Sequence, residues 1–348
     1  MALGLFGGGR SDNSVYYFYG QLSSSERVVY DELLRGLMAM QSSIPFSSGV
    51  SFDMISRMVE LVLNDHPEIF WFSGAGNMSQ RGSSFSFQPK YTISRETKQE
   101  REARIRRVVS EFLESTRRCR TDVECLEAAF NYLVKNVSYV DGCIDNQNIC
   151  SALLNHKSVC AGYSKSLQYL MQKMGKECLF ISGITAKKGR HAWNIVKLGG
   201  KYYHTDVTFG DRSFSDGTMV GSGLPAELEA EYAYLCMSDE EALRERRITM
   251  KAGIRLPACT SNQMSWYRRN HLCFTSAEEA WRQIEQSLSR GQKYWCCQFE
   301  SDSAYSRFVM DVSNSRFSSM ALEKLRLRQV RTNTSKNDSM RCIVGWVR

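Results

Sequence analysis

The stretch from Lys157 to Asp211 constrains this chain most. It places a cysteine, a histidine and an aspartate in that order, each in its own local setting. Cys160 follows Lys157-Ser158-Val159 and precedes Ala161-Gly162-Tyr163-Ser164. Behind it Leu167, Leu170, Met171 and Met174 recur at helical spacing, and Gly175 follows. The spacing predicts a helix that starts near Ser158 or Val159 and stops at the glycine. A thiol at a helix start meets unpaired amides and the positive end of the helix dipole, and both favour the thiolate. Alone, one cysteine among 12 reads as a small buried apolar residue.

The second part of the stretch changes that balance. His191-Ala192-Trp193-Asn194-Ile195-Val196 reads as a strand, with His191, Trp193 and Ile195 on one face. Gly199-Gly200 is a hairpin signal. The next strand, Lys201 to Val207, then returns beside the first with Tyr202, His204 and Asp206 on one face. A two-residue turn pairs Trp193 with Asp206 and leaves Asp206 diagonal to His191. From there its carboxylate can hold the imidazole tautomer and stabilise imidazolium. Asp211, in the loop beyond, is a rival orienter. His204 is a rival base, although Asp206 two residues on points it to packing or to the substrate side. Trp193, which would cover the site and exclude water, and Tyr163 are the candidate substrate-binding residues.

The flanks read as support. Helices are expected from Ser24 and over Ser51 to Asn64, halted at Asp65-His66-Pro67. His66 reads as a capping or packing residue. Ile69 to Phe72 suggests a short buried strand, 73–84 a Gly/Ser-rich loop, and Phe85 to Ile93 a strand with Pro89 at an edge or bulge. Thr97-x-x-Glu100 and Thr121-x-x-Glu124 are candidate capping boxes. The arginines at 101, 104, 106 and 107 form the solvated face of the first of these helices. Another loop is expected from Ser213 to Gly223 and a helical piece around Tyr234 to Leu243. The end reads helix (Ala277 to Leu288), strand (Tyr294 to Phe299), helix (Ala304 to Val312) and strand (Cys342 to Val347). The expected division is an N-terminal helical and short-strand region over 1–93, a core over 94–274 and a small α/β unit over 275–348. The class is α+β: a cysteine-bearing helix packed on an antiparallel sheet that carries the histidine and aspartate.

Composition narrows the function. At 348 residues and 43% hydrophobic the chain can bury a sizeable core. A formal charge of +8, from 45 basic and 37 acidic residues, is a mixed surface and not a nucleic-acid arm. No apolar run reaches the roughly 18 residues of a membrane span. The opening Met1 to Arg10 is a glycine-rich lead-in without a secretory pattern, so a cytoplasmic place and reduced cysteines are expected. No Cys-x-x-Cys pair exists, and no EF-hand-like loop, so neither a metal nor another cofactor is expected.

Taken together, Cys160-Ala161-Gly162-Tyr163, His191-Ala192-Trp193-Asn194 and Tyr203-His204-Thr205-Asp206-Val207-Thr208-Phe209-Gly210-Asp211 resemble the transglutaminase-like superfamily of papain-like cysteine enzymes. The resemblance is closest to bacterial transglutaminase-domain proteins of unassigned substrate. It extends to His66-Pro67-Glu68-Ile69-Phe70-Trp71 upstream and Tyr267-Arg268-Arg269 downstream. Phe209 stands where tryptophan is common, and Ser164 where alanine is usual. The resemblance implies a papain-like core with Cys160 as nucleophile, His191 as base and Asp206 as orienter. It implies acyl transfer on a protein or peptide amide, with hydrolysis favoured. Transfer to a lysine amine, or a non-catalytic binding module on the same fold, are the alternatives. Oligomeric state is left open. The Cys160 N–H is one expected oxyanion donor; Asn155, Tyr139 and Asn194 are candidates for the second.

Overall fold

The computed structural model describes residues 15–46, 50–186, 189–215, 223–250, 253 and 255–348. The chain forms two compact units: Met1–Tyr202 with Asp206–Thr208 and Arg247–Ala258, and Tyr203–Thr205 with Phe209–Arg246 and Cys259–Arg348. The expected lead-in Met1 to Arg10 lies outside the described residues.

The first unit opens with a short helix α1 (Tyr17–Gly20), α2 (Ser24–Met38), strand β1 (Ile44–Phe46) and α3 (Phe52–Asp65). Ser23 closes a full capping box with Glu26 at the start of α2, and Ser51 caps α3. Asp65 ties the start of the chain to the end of α3. Its carboxylate accepts from Phe18 N–H (3.2 Å), Tyr19 N–H (2.8 Å) and the Tyr30 hydroxyl (2.9 Å). His66 does act at the helix end: it is buried, pairs Nδ1 with Glu68 Oε1 at 2.9 Å and packs against the tilted ring of Tyr16.

Two expectations fail beside it. Ile69 to Trp71 are buried but form a turn. The turn after Pro67 closes Ile69 N–H on His66 O (3.1 Å) and Phe70 N–H on Glu68 O (2.9 Å), which takes both amides out of any ladder. The Gly/Ser-rich 73–84 segment is mostly strand: β2 (Phe72–Arg81) turns at Gly82-Ser83 into β3 (Ser84–Tyr91). Small polar residues suffice there because the hairpin is solvated on most of its surface, and Ser79 and Ser86 bond across it at 2.8 Å. Pro89 lies opposite Gly76, next to the irregularity in the ladder, as a proline in a sheet must.

Next come α4 (Arg95–Ser115), α5 (Asp122–Asn136), β4 (Ser138–Tyr139), α6 (Ile149–Leu153), β5 (Lys157–Ser158) and α7 (Cys160–Lys173). Thr121 caps α5 as expected, but α4 is capped by Ser94, with Thr97 already inside the helix. Strands β6 (Cys178–Thr185), β7 (Gly189–Leu198) and β8 (Lys201–Thr205) follow. Gly199 and Gly200 both have positive φ (55° and 82°), the type I′ geometry of a two-residue hairpin. Helix α7 packs on β6 and β7. From the N-terminal side, the Gln168 side chain donates to Asn64 O (2.5 Å) and that of Gln172 to Asp65 O (2.8 Å). No helix among the described residues is long and apolar enough to cross a membrane.

In the second unit the end of β8 pairs antiparallel with β9 (Leu235–Met237). Short helices α8 (Val207–Gly210) and α9 (Arg212–Ser215) precede β9, and α10 (Asp239–Ala242) follows it. The helix expected around Tyr234 to Leu243 is therefore a strand and a single capped turn, broken where Ser238 caps α10. The loop expected from Ser213 begins inside α9, and 216–222 lie outside the described residues. In β10 (Arg246–Ile248), Arg247 and Ile248 return to the first unit, beside β6. Then α11 (Trp266–Arg269), β11 (Cys273–Phe274), α12 (Ala277–Ser289), β12 (Tyr294–Phe299), α13 (Asp302–Ser313), α14 (Arg316–Lys324), β13 (Thr332–Asn337) and β14 (Cys342–Val347) build a four-stranded sheet, order β11-β12-β14-β13, under three helices. Trp281, Trp295, Phe299, Phe308 and Phe317 interlock in its core, each contributing about 1.5–3 kcal/mol by burial. The architecture is α+β, as expected.

Candidate functional site

Cys160 is the first residue of α7, after Val159 at the N-cap position. The β4–β5 pairing sets that start: Tyr139 lies opposite Ser158, and Val140 N–H bonds to Ser158 O at 2.9 Å. Ser158 and Ser151 hydroxyls meet at 2.6 Å beneath the first turn. They fill the space where a Cβ on Gly162 would stand, so the first turn of α7 closes against the α6 region only with glycine there. Gly175, at φ +73°, ends the helix as expected.

His191 is held on β7, and α7 is fixed to that strand by two polar side chains. The Ser164 hydroxyl lies 2.8 Å from Cys160 O and 2.9 Å from Ala192 O. The Asn194 amide donates to Ser164 O (3.0 Å) and Leu179 O (3.1 Å). Ser164, the departure from alanine noted above, thus bridges the cysteine's own carbonyl to the strand beside the histidine.

Asp206 follows β8, which ends at Thr205; the strand expected to run to Val207 gives way to α8. Asp206 is not a ladder residue opposite Trp193, yet its Oδ2 lies 2.8 Å from His191 Nε2. Both side chains are essentially sealed from solvent, at 0% and 2% exposure. The Cys160 thiol is hydrogen-bonded to the same imidazole, which leaves Nδ1 as its natural contact. Burial works against charge on His191, but the Asp206 carboxylate outweighs it through its charge and hydrogen bond, with Cys160 adding to the effect. The imidazole is carried up from 6.5 to about 9. At neutral pH this geometry holds an imidazolium between a carboxylate and Cys160, a residue of intermediate burial.

The other sequence candidates fall elsewhere. Asp211 turns into its own loop, accepting from Ser213 N–H (2.9 Å) and hydroxyl (2.6 Å). His204 Nε2 pairs with Asp239 Oδ1 at 2.9 Å. Trp193 and Tyr163, expected to meet substrate, are both 0% exposed. Trp193 stacks nearly parallel with the His191 ring, and Tyr163 donates its hydroxyl to Val137 O at 2.6 Å. Both therefore serve as packing around the helix and the imidazole. Among the three oxyanion candidates, the Asn194 amide is engaged by two carbonyls. Asn155 closes the turn after α6 through its N–H on Cys150 O (3.1 Å). Tyr139 is hydrogen-bonded to Asp141: burial first, then the charges of Cys160 and Asp141, push its phenol up to about 12.

Sequence reading passed over Asp239 and Cys259, which gather with His204 in the second unit; their donor atoms lie within 4.8 Å of one another. No local spacing signals them, because the three come from separate segments. Burial also keeps most other thiols neutral: Cys150 and Cys296 are each raised to about 12, and Cys178, Cys297 and Cys342 are raised as well.

Part of the chain is similar to a known family. Residues 110–207, which contain Cys160, His191 and Asp206, match the sequence model of the transglutaminase-like superfamily. No curated protein matches the chain. Among solved structures, a TGase is similar at 12% identity over 48% of this chain and 50% of that one, with a TM-score of 0.29. A candidate cysteine protease from Cytophaga hutchinsonii is similar at 12% identity over 38% and 61% (TM-score 0.27). A candidate protease from Parabacteroides distasonis is similar at 8% over 40% and 37% (TM-score 0.26). The chain thus spans about half the length of the first of these proteins. Within residues 110–207 the chain is thus similar to the transglutaminase-like superfamily, and there a cysteine-bearing helix packs on an antiparallel sheet in an α+β arrangement.

Proposed function

We propose that this protein cleaves amide bonds in proteins or peptides by covalent acyl transfer, with Cys160 as nucleophile, His191 as acid and base, and Asp206 as the carboxylate that orients it. The observation that supports this reading is the sealed His191 Nε2–Asp206 Oδ2 contact at 2.8 Å on an imidazole that also bonds the Cys160 thiol. The thiolate adds to the amide carbonyl, forming a C–S bond and an oxyanion. The oxyanion meets the Cys160 N–H, which has no acceptor within the helix because it lies in the first turn. Tyr139, whose phenol feels the Cys160 charge and also bonds Asp141, would be the second donor by turning its hydroxyl from that carboxylate to the oxyanion. The intermediate collapses as the C–N bond breaks and His191 gives its proton to the leaving amine. Neutral His191 then takes a proton from water, which attacks the thioester; the acid departs and the thiolate–imidazolium pair returns.

The test is direct. Purified protein is incubated with a quenched peptide library in oxygen-18 water, alongside the Cys160→Ala variant and a fluorescent primary amine. One heavy oxygen in the new carboxyl group, absent with Cys160→Ala, is the expected result. Incorporation of the amine without heavy oxygen would replace hydrolysis by transamidation. Equal turnover by Cys160→Ala would end the proposal altogether.

A further inference from the structure

The second unit holds another group of potential ligands, outside the array around Cys160. His204 lies on β8 opposite Met237 of β9, and this register sets its ring two residues from Asp239 at the start of α10. Ser238 caps α10 in a full capping box with Glu241, which fixes where Asp239 stands. Asp239 and Cys259 then lock to each other: Asp239 N–H donates to Cys259 O at 2.7 Å, and Cys259 N–H donates to Asp239 Oδ2 at 2.8 Å. Backbone hydrogen bonds therefore position all three residues. The side chain of His204 is fully buried, Cys259 is equally inaccessible, and only the Asp239 carboxylate opens to solvent, at 39%.

We propose that His204, Asp239 and Cys259 form a zinc(II) site, with a water molecule as fourth ligand on the open side of Asp239. One imidazole, one carboxylate and one thiolate make a mixed N/O/S set of the kind zinc accepts, and calcium or magnesium would not choose the sulfur. The size fits as well. Bonds of about 2.0–2.3 Å at tetrahedral angles put ligand atoms roughly 3.3–3.7 Å apart. The three donor atoms here already lie within 4.8 Å, and His204 Nε2 and Asp239 Oδ1 are 2.9 Å apart, so adjustments of about 1–1.5 Å at most suffice. The absence of a Cys-x-x-Cys pair excludes only sites built within one short segment. This one would clasp β8, α10 and the segment at Cys259, stabilising the second unit by binding only its folded form.

Cobalt(II) titration tests the assignment without reference to activity. Full-length protein is stripped with chelator and titrated with cobalt under reducing conditions. The expected result is one equivalent with a near-ultraviolet thiolate charge-transfer band and strong visible bands of four-coordination, bleached by one equivalent of zinc. Cys259→Ser should abolish the charge-transfer band, and Asp239→Asn should weaken zinc affinity at least 10-fold, about the smallest loss that ligand-shell changes cause. Cys160→Ser should leave the spectrum intact; this separates the site from the other cysteine, histidine and aspartate. Zinc should raise the melting temperature of the wild type and of Cys160→Ser, and not that of Asp239→Asn. A spectrum lost in Cys160→Ser but kept in Cys259→Ser overturns the proposal, as does the absence of cobalt binding. If Cys259→Ser does not fold, the Asp239→Asn affinity and melting shift decide the matter.

Discussion

Replacing Asp206 by asparagine isolates the part of the site that electrostatics controls. Asparagine keeps the shape of the side chain but removes the charge 2.8 Å from His191 Nε2. With that charge gone, the desolvation that already opposes the imidazolium acts without its main counterweight, and the ring drops from about 9 to its ordinary 6.5 or lower. At about 1.4 kcal/mol per pH unit, this is about 3 kcal/mol of support for the imidazolium, or roughly two decades in its equilibrium with the neutral pair. Because a thiolate needs that cation beside it, alkylation of Cys160 by iodoacetamide at pH 6 should slow by roughly 100-fold in Asp206→Asn. Peptide mapping by mass spectrometry reads the rate at Cys160 separately from the other thiols. The same shift affects folding. A histidine raised in the native state stabilises fully below the unfolded value near 6.5, and that contribution fades as pH rises through about 9. Wild-type stability in denaturant should therefore decline between these pH values by up to about 3 kcal/mol more than that of the variant. If alkylation and stability of Asp206→Asn follow the wild-type pH profiles, the carboxylate does not charge the imidazole and the role given to Asp206 is wrong.

Other perturbations reach different parts of the molecule. Tyr139→Phe should lower kcat by about 100–1,000-fold with little change in KM, as loss of one oxyanion donor does; an unchanged kcat would remove Tyr139 from the mechanism. Gly162→Ala drives a Cβ into the Ser158 and Ser151 hydroxyls and should cost about 1–3 kcal/mol, read as a lower urea midpoint. Asn194→Ala leaves the buried carbonyls of Ser164 and Leu179 without that donor, at about 1–3 kcal/mol each, and should slow Cys160 alkylation by loosening α7 on β7. In the second unit, Arg212 and Glu231 pair at 2.7 Å with side chains almost fully buried. Glu231→Ala should destabilise by about 3–5 kcal/mol in calorimetry, because it strands the guanidinium; a loss under 1 kcal/mol would mean that water reaches the arginine.

Much of this was legible in the sequence where one local signal sufficed. The start of α7, the Gly199-Gly200 turn, the Thr121 cap and strand Cys342–Val347 each rest on a pattern a few residues long. Reading failed where tertiary context overrode the pattern. β2 contains few of the residues that favour strands, and its pairing with β3 makes it one. β7 is buried on both faces from His191 to Val196, so alternation carries no information about which side chains face the site. That is why Trp193 looked like a lid and is packing, and why Asp206 was placed in a ladder when it reaches His191 from just beyond the strand. The cluster at His204 was invisible for a different reason. Its members are 35 and 20 residues apart, and only the β8–β9 register and the Asp239–Cys259 lock join them.

The deep burial of so many thiols has a consequence for how such a chain meets oxidants. Peroxide reacts with thiolates, and Cys150, Cys178, Cys296, Cys297 and Cys342 are kept as thiols by the apolar surroundings that raise them. Under the proposed mechanism Cys160 cannot share that protection, because a nucleophile must be reachable, so the reactivity proposed for it would also be the route by which the protein is switched off.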